Sequence, residues 1–98
     1  MKRVEELGFP DLTIEQIEML CSTAENAARR YILSRVPPKM VEKLNISVEA
    51  EGTKPVNVTV EIDAELSPKM KDFDAGKLVT EAVKEAYKAS ENYLRKLT

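Results

Sequence analysis

Two stretches of this chain alternate apolar and polar residues without a break, and a period of two allows little except a strand with one buried face and one wet face. The first places Leu44, Ile46, Val48 and Ala50 on one side. The second places Val56, Val58, Val60, Ile62, Ala64 and Leu66 on one side. Their other sides carry Asn45, Ser47, Glu49 and Glu51, then Asn57, Thr59, Glu61, Asp63 and Glu65. Matching the two apolar sets in a hairpin puts Ala50 opposite Val56 and leaves Glu51 to Pro55, with Gly52, as the connection. In that register Glu49 faces Asn57, Ser47 faces Thr59 and Lys43 faces Asp63. No two acids are directly opposed. A slip of one residue would turn the carboxylates into the core, so the choice of face is strongly fixed.

The apolar face needs a cover, and two amphipathic segments supply it. The first opens at Thr13, an N-cap with Gln16 three residues on, the spacing of a capping box. Leu12 and Ile17 flank the cap as a hydrophobic staple. Ile17, Leu20, Cys21, Ala24, Ala27, Ala28, Tyr31 and Ile32 follow at helical spacing, and Pro37-Pro38 ends the helix. Its small central residues predict close packing against another element. Residues 39–43 read as one more helical turn beginning at Pro38, with the first strand running from about Leu44 to Glu51. A second helix is expected from near Asp74 to about Leu97, with Phe73 and Leu78 as its staple. Each helix would be roughly 35 Å long. Residues 1–10 read as an arm or a short helical turn. The expected fold is therefore α+β, one domain over residues 1–98: a two-layer α-β-β-α core over residues 11–98, its antiparallel β-hairpin covered on one face by two long helices.

Composition narrows the chemistry. The 98 residues suit one core, and 43% hydrophobic with 33% charged residues is globular rather than disordered. A net charge of −2 gives no overall attraction to polyanions. No apolar run is long enough to span a bilayer, and residues 1–8 are too charged for a signal peptide. With no histidine, the usual general base and the usual zinc ligands are missing. Cys21 is the single cysteine, which forbids an intrachain disulfide and favours a reducing, cytoplasmic setting. It reads as a small core residue. The sequons at Asn45 and Asn57 fall inside strands and read as chance matches. The expectation is no catalytic residues, no metal, no cofactor and no membrane association: a protein that is not an enzyme.

Binding is the remaining class. In the two-stranded expectation both strands are edges with unpaired backbone groups, which invites pairing with another molecule. The second helix carries apolar residues around much of its circumference, which also suggests a partner. The partner-interface candidates are Val79, Ala82, Val83, Ala86 and Tyr87 on that helix, with Val58, Val60 and Ile62 on the second strand. Arg29, Arg30, Arg35, Lys39 and Lys43 gather where the first helix ends. They read either as complements to its dipole or as a phosphate-contacting patch for RNA, through Arg29, Arg30, Arg35 and Lys39. The five carboxylates Glu49, Glu51, Glu61, Asp63 and Glu65 read either as a solvated face or as a surface for a basic partner. Asp72, Asp74, Gly76 and Lys77 fit no glycine-rich phosphate fingerprint, and helix capping explains both aspartates.

The alanine-rich helix ending at Tyr31 to Arg35, the Val41-Glu42-Lys43-Leu44 entry into Ile46-Ser47-Val48, the Val58-Thr59-Val60-Glu61-Ile62 strand and the final alanine-rich helix together resemble a small archaeal α-β-β-α family filed as a domain of unknown function. The same order is similar to the small dimerisation subunit of the KEOPS complex and its archaeal paralogue. That subunit starts with an additional strand, which Met1 to Pro10 does not read as. The resemblance implies a non-catalytic subunit of a complex that makes threonylcarbamoyladenosine in tRNA. It would dimerise through its sheet, as a homodimer or with a paralogous small subunit, and pack its helices on a larger partner. Contact with tRNA through Arg29, Arg30 and Arg35 is a further implication. The alternative is a small nucleic-acid-binding protein that uses the basic end of its first helix.

Overall fold

The computed structural model describes the backbone of residues 2–9, 12–51 and 56–97, and side chains within 12–51 and 57–96. The order is β1 (Lys2–Phe9), α1 (Ile14–Arg35), β2 (Val41–Glu51), β3 (Val56–Leu66) and α2 (Ala75–Leu97), with single 3-10 turns at Pro38–Met40 and Pro68–Met70. Helix–strand–strand–helix order is as expected.

Local chemistry sets the helix ends. The Gln16 backbone N–H donates to Thr13 Oγ1 at 3.1 Å, and the Thr13 N–H donates to Gln16 Oε1 at 2.9 Å, closing the capping box. Leu12 and Ile17 are partly buried against the core. The Val36 N–H donates to the Ile32 carbonyl at 3.0 Å, after which Pro37 and Pro38 prevent continuation. α2 is capped by Asp74, whose Oδ1 accepts from the Lys77 N–H at 2.9 Å. The turn after Pro38 is shorter than expected. It ends at Met40, and Val41 already pairs with Leu66. An irregularity between Val41 and Lys43 absorbs Glu42, the extra residue that hid the strand's true start.

The sheet has three strands in the order β1-β3-β2, with β3 antiparallel to both neighbours. Residues 2–9, expected as an arm or helical turn, are instead a strand paired along β3 from Lys2 opposite Asp63 to Phe9 opposite Val56. Lys-Arg-Val-Glu-Glu-Leu-Gly-Phe lacks a period of two, so the neighbouring strand decides its conformation. β3 is consequently a central strand, not an edge.

The β2–β3 register also differs from expectation, by two residues. Ala50 meets Val58, Glu49 meets Thr59, and Lys43 meets Glu65. An even shift keeps every side chain on its expected face, and the acids of β2 and β3 still oppose neutral or basic residues. The expected Lys43–Asp63 pair forms diagonally, at 3.5 Å. The connecting residues 52–55, including Gly52, lie outside the described residues.

α1 lies over β2 and α2 lies over β3 and β1, with extensive contact between the two helices. Leu20, Ala24, Ala28 and Ile32 of α1 are fully buried, as are Val58, Val60 and Ile62 of β3. The alanines let the helix backbone approach closely. Val79, Ala82, Val83 and Ala86 have no exposed surface and Tyr87 retains 7%. All eight residues read as a partner interface are thus core. α2 is apolar around so much of its circumference because it meets α1 on one side and two strands below, β1 being the element the sequence did not announce. The buried Ser90 hydroxyl donates to the Ala86 carbonyl at 2.9 Å, so it stays satisfied.

Two predictions follow from burial. Ile62→Ala should cost about 2–5 kcal/mol, and Ile46→Ala on partly buried β2 roughly half that, read by urea denaturation. Ala86→Lys should unfold the chain in far-UV circular dichroism rather than selectively remove a partner.

Candidate functional site

Three surfaces carry the residues singled out by sequence. The first is the basic end of α1. Arg29 pairs with Glu25 at 2.8 Å, and the Arg35 guanidinium sits 5.2 Å from the Tyr31 ring centroid, in cation–π range. Arg30 and Lys39 are exposed. Arg30 and Arg35 line an open groove of about 480 Å³ along the α1–α2 seam with Glu85 and Lys88. A second groove of about 550 Å³ is lined by Tyr31, Arg35, Phe73, Asp74, Lys77, Leu78 and Glu81. Neither groove includes Arg29 or Lys39 among its lining residues, so the four RNA-contact candidates do not converge on one site. The carboxylates in the second groove have local tasks: Asp74 caps α2, and Glu81 lies 3.5 Å from Lys84.

The second surface is the uncovered face of the sheet. Glu49, Glu51 and Glu65 are exposed, while Glu61 and Asp63 are partly buried. Lys43 reaches Asp63 across the strands, with both side chains more than a third exposed, a pair worth at most about 1 kcal/mol. Among the described residues no three carboxylate or cysteine groups gather to hold a metal ion. Alternate residues on a strand stand about 6.6 Å apart, too far to share one ion.

The third surface is the free side of β2. This strand ends the sheet, is 11 residues long and contains no proline. Every second residue therefore presents its backbone N–H and C=O away from β3. At about 3.3 Å per residue, the edge is roughly 36 Å long. Its helix-side residues Leu44, Ile46, Val48 and Ala50 are only partly buried, whereas their neighbours Val58, Val60 and Ile62 are fully covered. The alternation identified β2 as a strand; which strand would remain an edge depended on residues 2–9. Among the described residues, no helix is long and apolar enough to cross a membrane.

Comparison with known proteins gives relatives without assigned roles. Residues 9–93 match the family described as protein of unknown function (DUF3194). An uncharacterised protein of Pyrococcus furiosus is 26% identical over 98 residues, all of this chain and 87% of the relative. One from Thermococcus kodakarensis is 26% identical over 96 residues, 98% of this chain and 88% of the relative. A crystal structure from Thermococcus onnurineus superposes with a TM-score of 0.86 at 26% identity, covering 99% of this chain and 93% of that one. The solution structure of a hypothetical protein from Methanothermobacter thermautotrophicus gives 0.63 at 31% identity, covering 92% and 97%.

Cys21 lies partly buried on α1, and that burial pushes its thiol above the usual range. A raised value leaves less thiolate at neutral pH, the opposite of an activated nucleophile. Alkylation by iodoacetamide should be slower in the native protein than in urea at pH 8. The native rate should still be climbing at a pH where the unfolded chain has levelled off.

Proposed function

The chain belongs to the DUF3194 family, and we propose that it is a non-catalytic assembly subunit that joins a protein partner through the free edge of β2. The observation that carries this reading is the edge itself: long, free of proline, and flanked by a half-buried apolar row. Adding a strand there would satisfy the outward backbone groups and cover Leu44, Ile46 and Val48 in one step. Catalysis has less support. Partial burial raises the Cys21 thiol, the chain has no histidine, and the carboxylates of the groove beside Phe73, those of Asp74 and Glu81, are engaged in a cap and a helix ion pair.

The finer reading places this subunit in a cytoplasmic complex of the KEOPS type, acting on tRNA beside a paralogous small subunit. Its support is the element order, now including an opening strand such as the KEOPS small subunit has. The relatives carry no functional name that bears on it. RNA binding through the end of α1 is the second reading. It draws on exposed Arg30 and Lys39, and it is weakened by the commitment of Arg29 to Glu25 and Arg35 to Tyr31.

The test is native mass spectrometry of the tagged protein recovered gently from its source cells, beside Val48→Lys. A lysine on the helix-side row of an edge strand can extend its ammonium to water and should leave the fold intact while blocking strand addition. The expected result is an equimolar complex of small subunits, with a second copy or with a paralogue, lost in the folded variant. Equal recovery from both proteins would remove the β2 edge from the account. Recovery with RNA alone, weakening steeply with salt, would favour the second reading.

A further inference from the structure

We propose that the groove between the end of α1 and the start of α2 holds the free carboxyl end of a partner polypeptide whose last side chain is apolar. The terminal carboxylate lies between Arg35 and Lys77, and the last side chain packs against Tyr31, Phe73 and Leu78. This contact is separate from the β2 edge and does not rest on it. Four charged side chains line the groove, Arg35, Lys77, Asp74 and Glu81, and they sum to zero. Its character is set by which of them are already committed. Asp74 Oδ1 accepts from the Lys77 backbone N–H at 2.9 Å, and Glu81 lies 3.5 Å from the Lys84 ammonium. Among the described residues, no carboxylate lies within ion-pair distance of the Arg35 guanidinium or the Lys77 ammonium. Arg35 instead rests over Tyr31, a contact that restrains the guanidinium without supplying it an oxygen acceptor. Its N–H donors therefore remain open to a carboxylate.

Phe73 supplies a second, independent observation. Its spacing from Leu78 is that of a hydrophobic staple, which would bury the two together. Leu78 is 4% exposed and belongs to the core, whereas Phe73 keeps 37% and stays outside that cluster. An aromatic ring left beside two uncommitted cations suits a group that is apolar and anionic at once. The rest of the groove selects a chain end. At about 550 Å³ it is roomy enough for a terminal residue, and it is open to solvent. A small molecule is normally covered over most of its surface, while a polypeptide end can enter such a groove and run back out into water. Asp74 and Glu81 share the lining, and exposed Asp72 adjoins Phe73 in the chain. A polyanion such as RNA would carry successive phosphates past those acids, whereas a chain terminus brings a single charge.

The test is an NMR titration of the isotope-labelled chain with the peptide Gly-Ser-Gly-Ser-Leu-Phe bearing a free carboxyl group. The backbone amides of Arg35, Phe73, Lys77 and Leu78 should shift saturably. The same peptide with an amidated end should bind on the order of tenfold more weakly, the worth of one charge-assisted contact. Arg35→Gln and Lys77→Gln, both at exposed positions and checked for folding by circular dichroism, should each weaken binding several-fold. Val48→Lys should bind the peptide as the wild type does, so failure here and failure of the β2 edge are read separately. No saturable shift up to millimolar peptide, or equal binding of the amidated form, would overturn the proposal. So would shifts confined to another surface, or indifference to both glutamine variants. N-acetylphenylalanine binding as tightly as the peptide would make the groove a site for small acids instead. An oligouridylate that displaces the peptide at lower concentration would give the groove to RNA.

Discussion

The burial of β3 is the constraint on which the rest depends. Val58, Val60 and Ile62 are fully enclosed because β3 has a strand on each side and helices over one face. Each such side chain contributes about 1.5–3 kcal/mol on burial. That enclosure needs two helices packed closely enough to roof three strands, which the fully buried Ala24, Ala28, Ala82 and Ala86 permit. It also leaves two strands at the rim. One of them, β2, is long, free of proline and half-covered, so the same geometry that completes the core creates the unpaired edge.

Period and punctuation made most of this legible. Leu44 to Leu66 alternated cleanly, and Thr13, Gln16, Asp74 and Pro37-Pro38 marked helix ends by capping and steric rules that act within a few residues. The first strand was illegible because it forms by pairing, and Val4, Glu5 and Glu6 give no two-residue rhythm. Missing it had a cost beyond eight residues. The apolar breadth of α2 then looked like surplus surface, and core residues from Val79 to Tyr87 were assigned to a partner. The two-residue register error had a different origin. Alternation fixes which face a residue occupies but is unchanged by an even shift.

The basic end of α1 shows why a cluster in sequence need not be one in space. Arg29 and Arg30 are neighbours in the chain, yet 100° of helix rotation separates them. One is held by Glu25, and the other opens onto the α1–α2 groove. The carboxylates of β2 and β3, in contrast, were assigned to one face by strand alternation alone, which acts locally, although the third strand of that sheet was missed. They leave β2 with charge that is polar along its length, basic at its start and acidic at its end.

Amide hydrogen exchange along β2, followed by NMR at low and high protein concentration, tests the central claim most directly. If β2 is an assembly edge, alternate amides between Leu44 and Ala50, those facing away from β3, exchange rapidly at low concentration and become protected at high concentration. The intervening amides, bonded to β3, stay protected throughout. Outward amides that exchange rapidly at every concentration, in a protein that nonetheless associates, would show that the edge is not where this chain meets its partner.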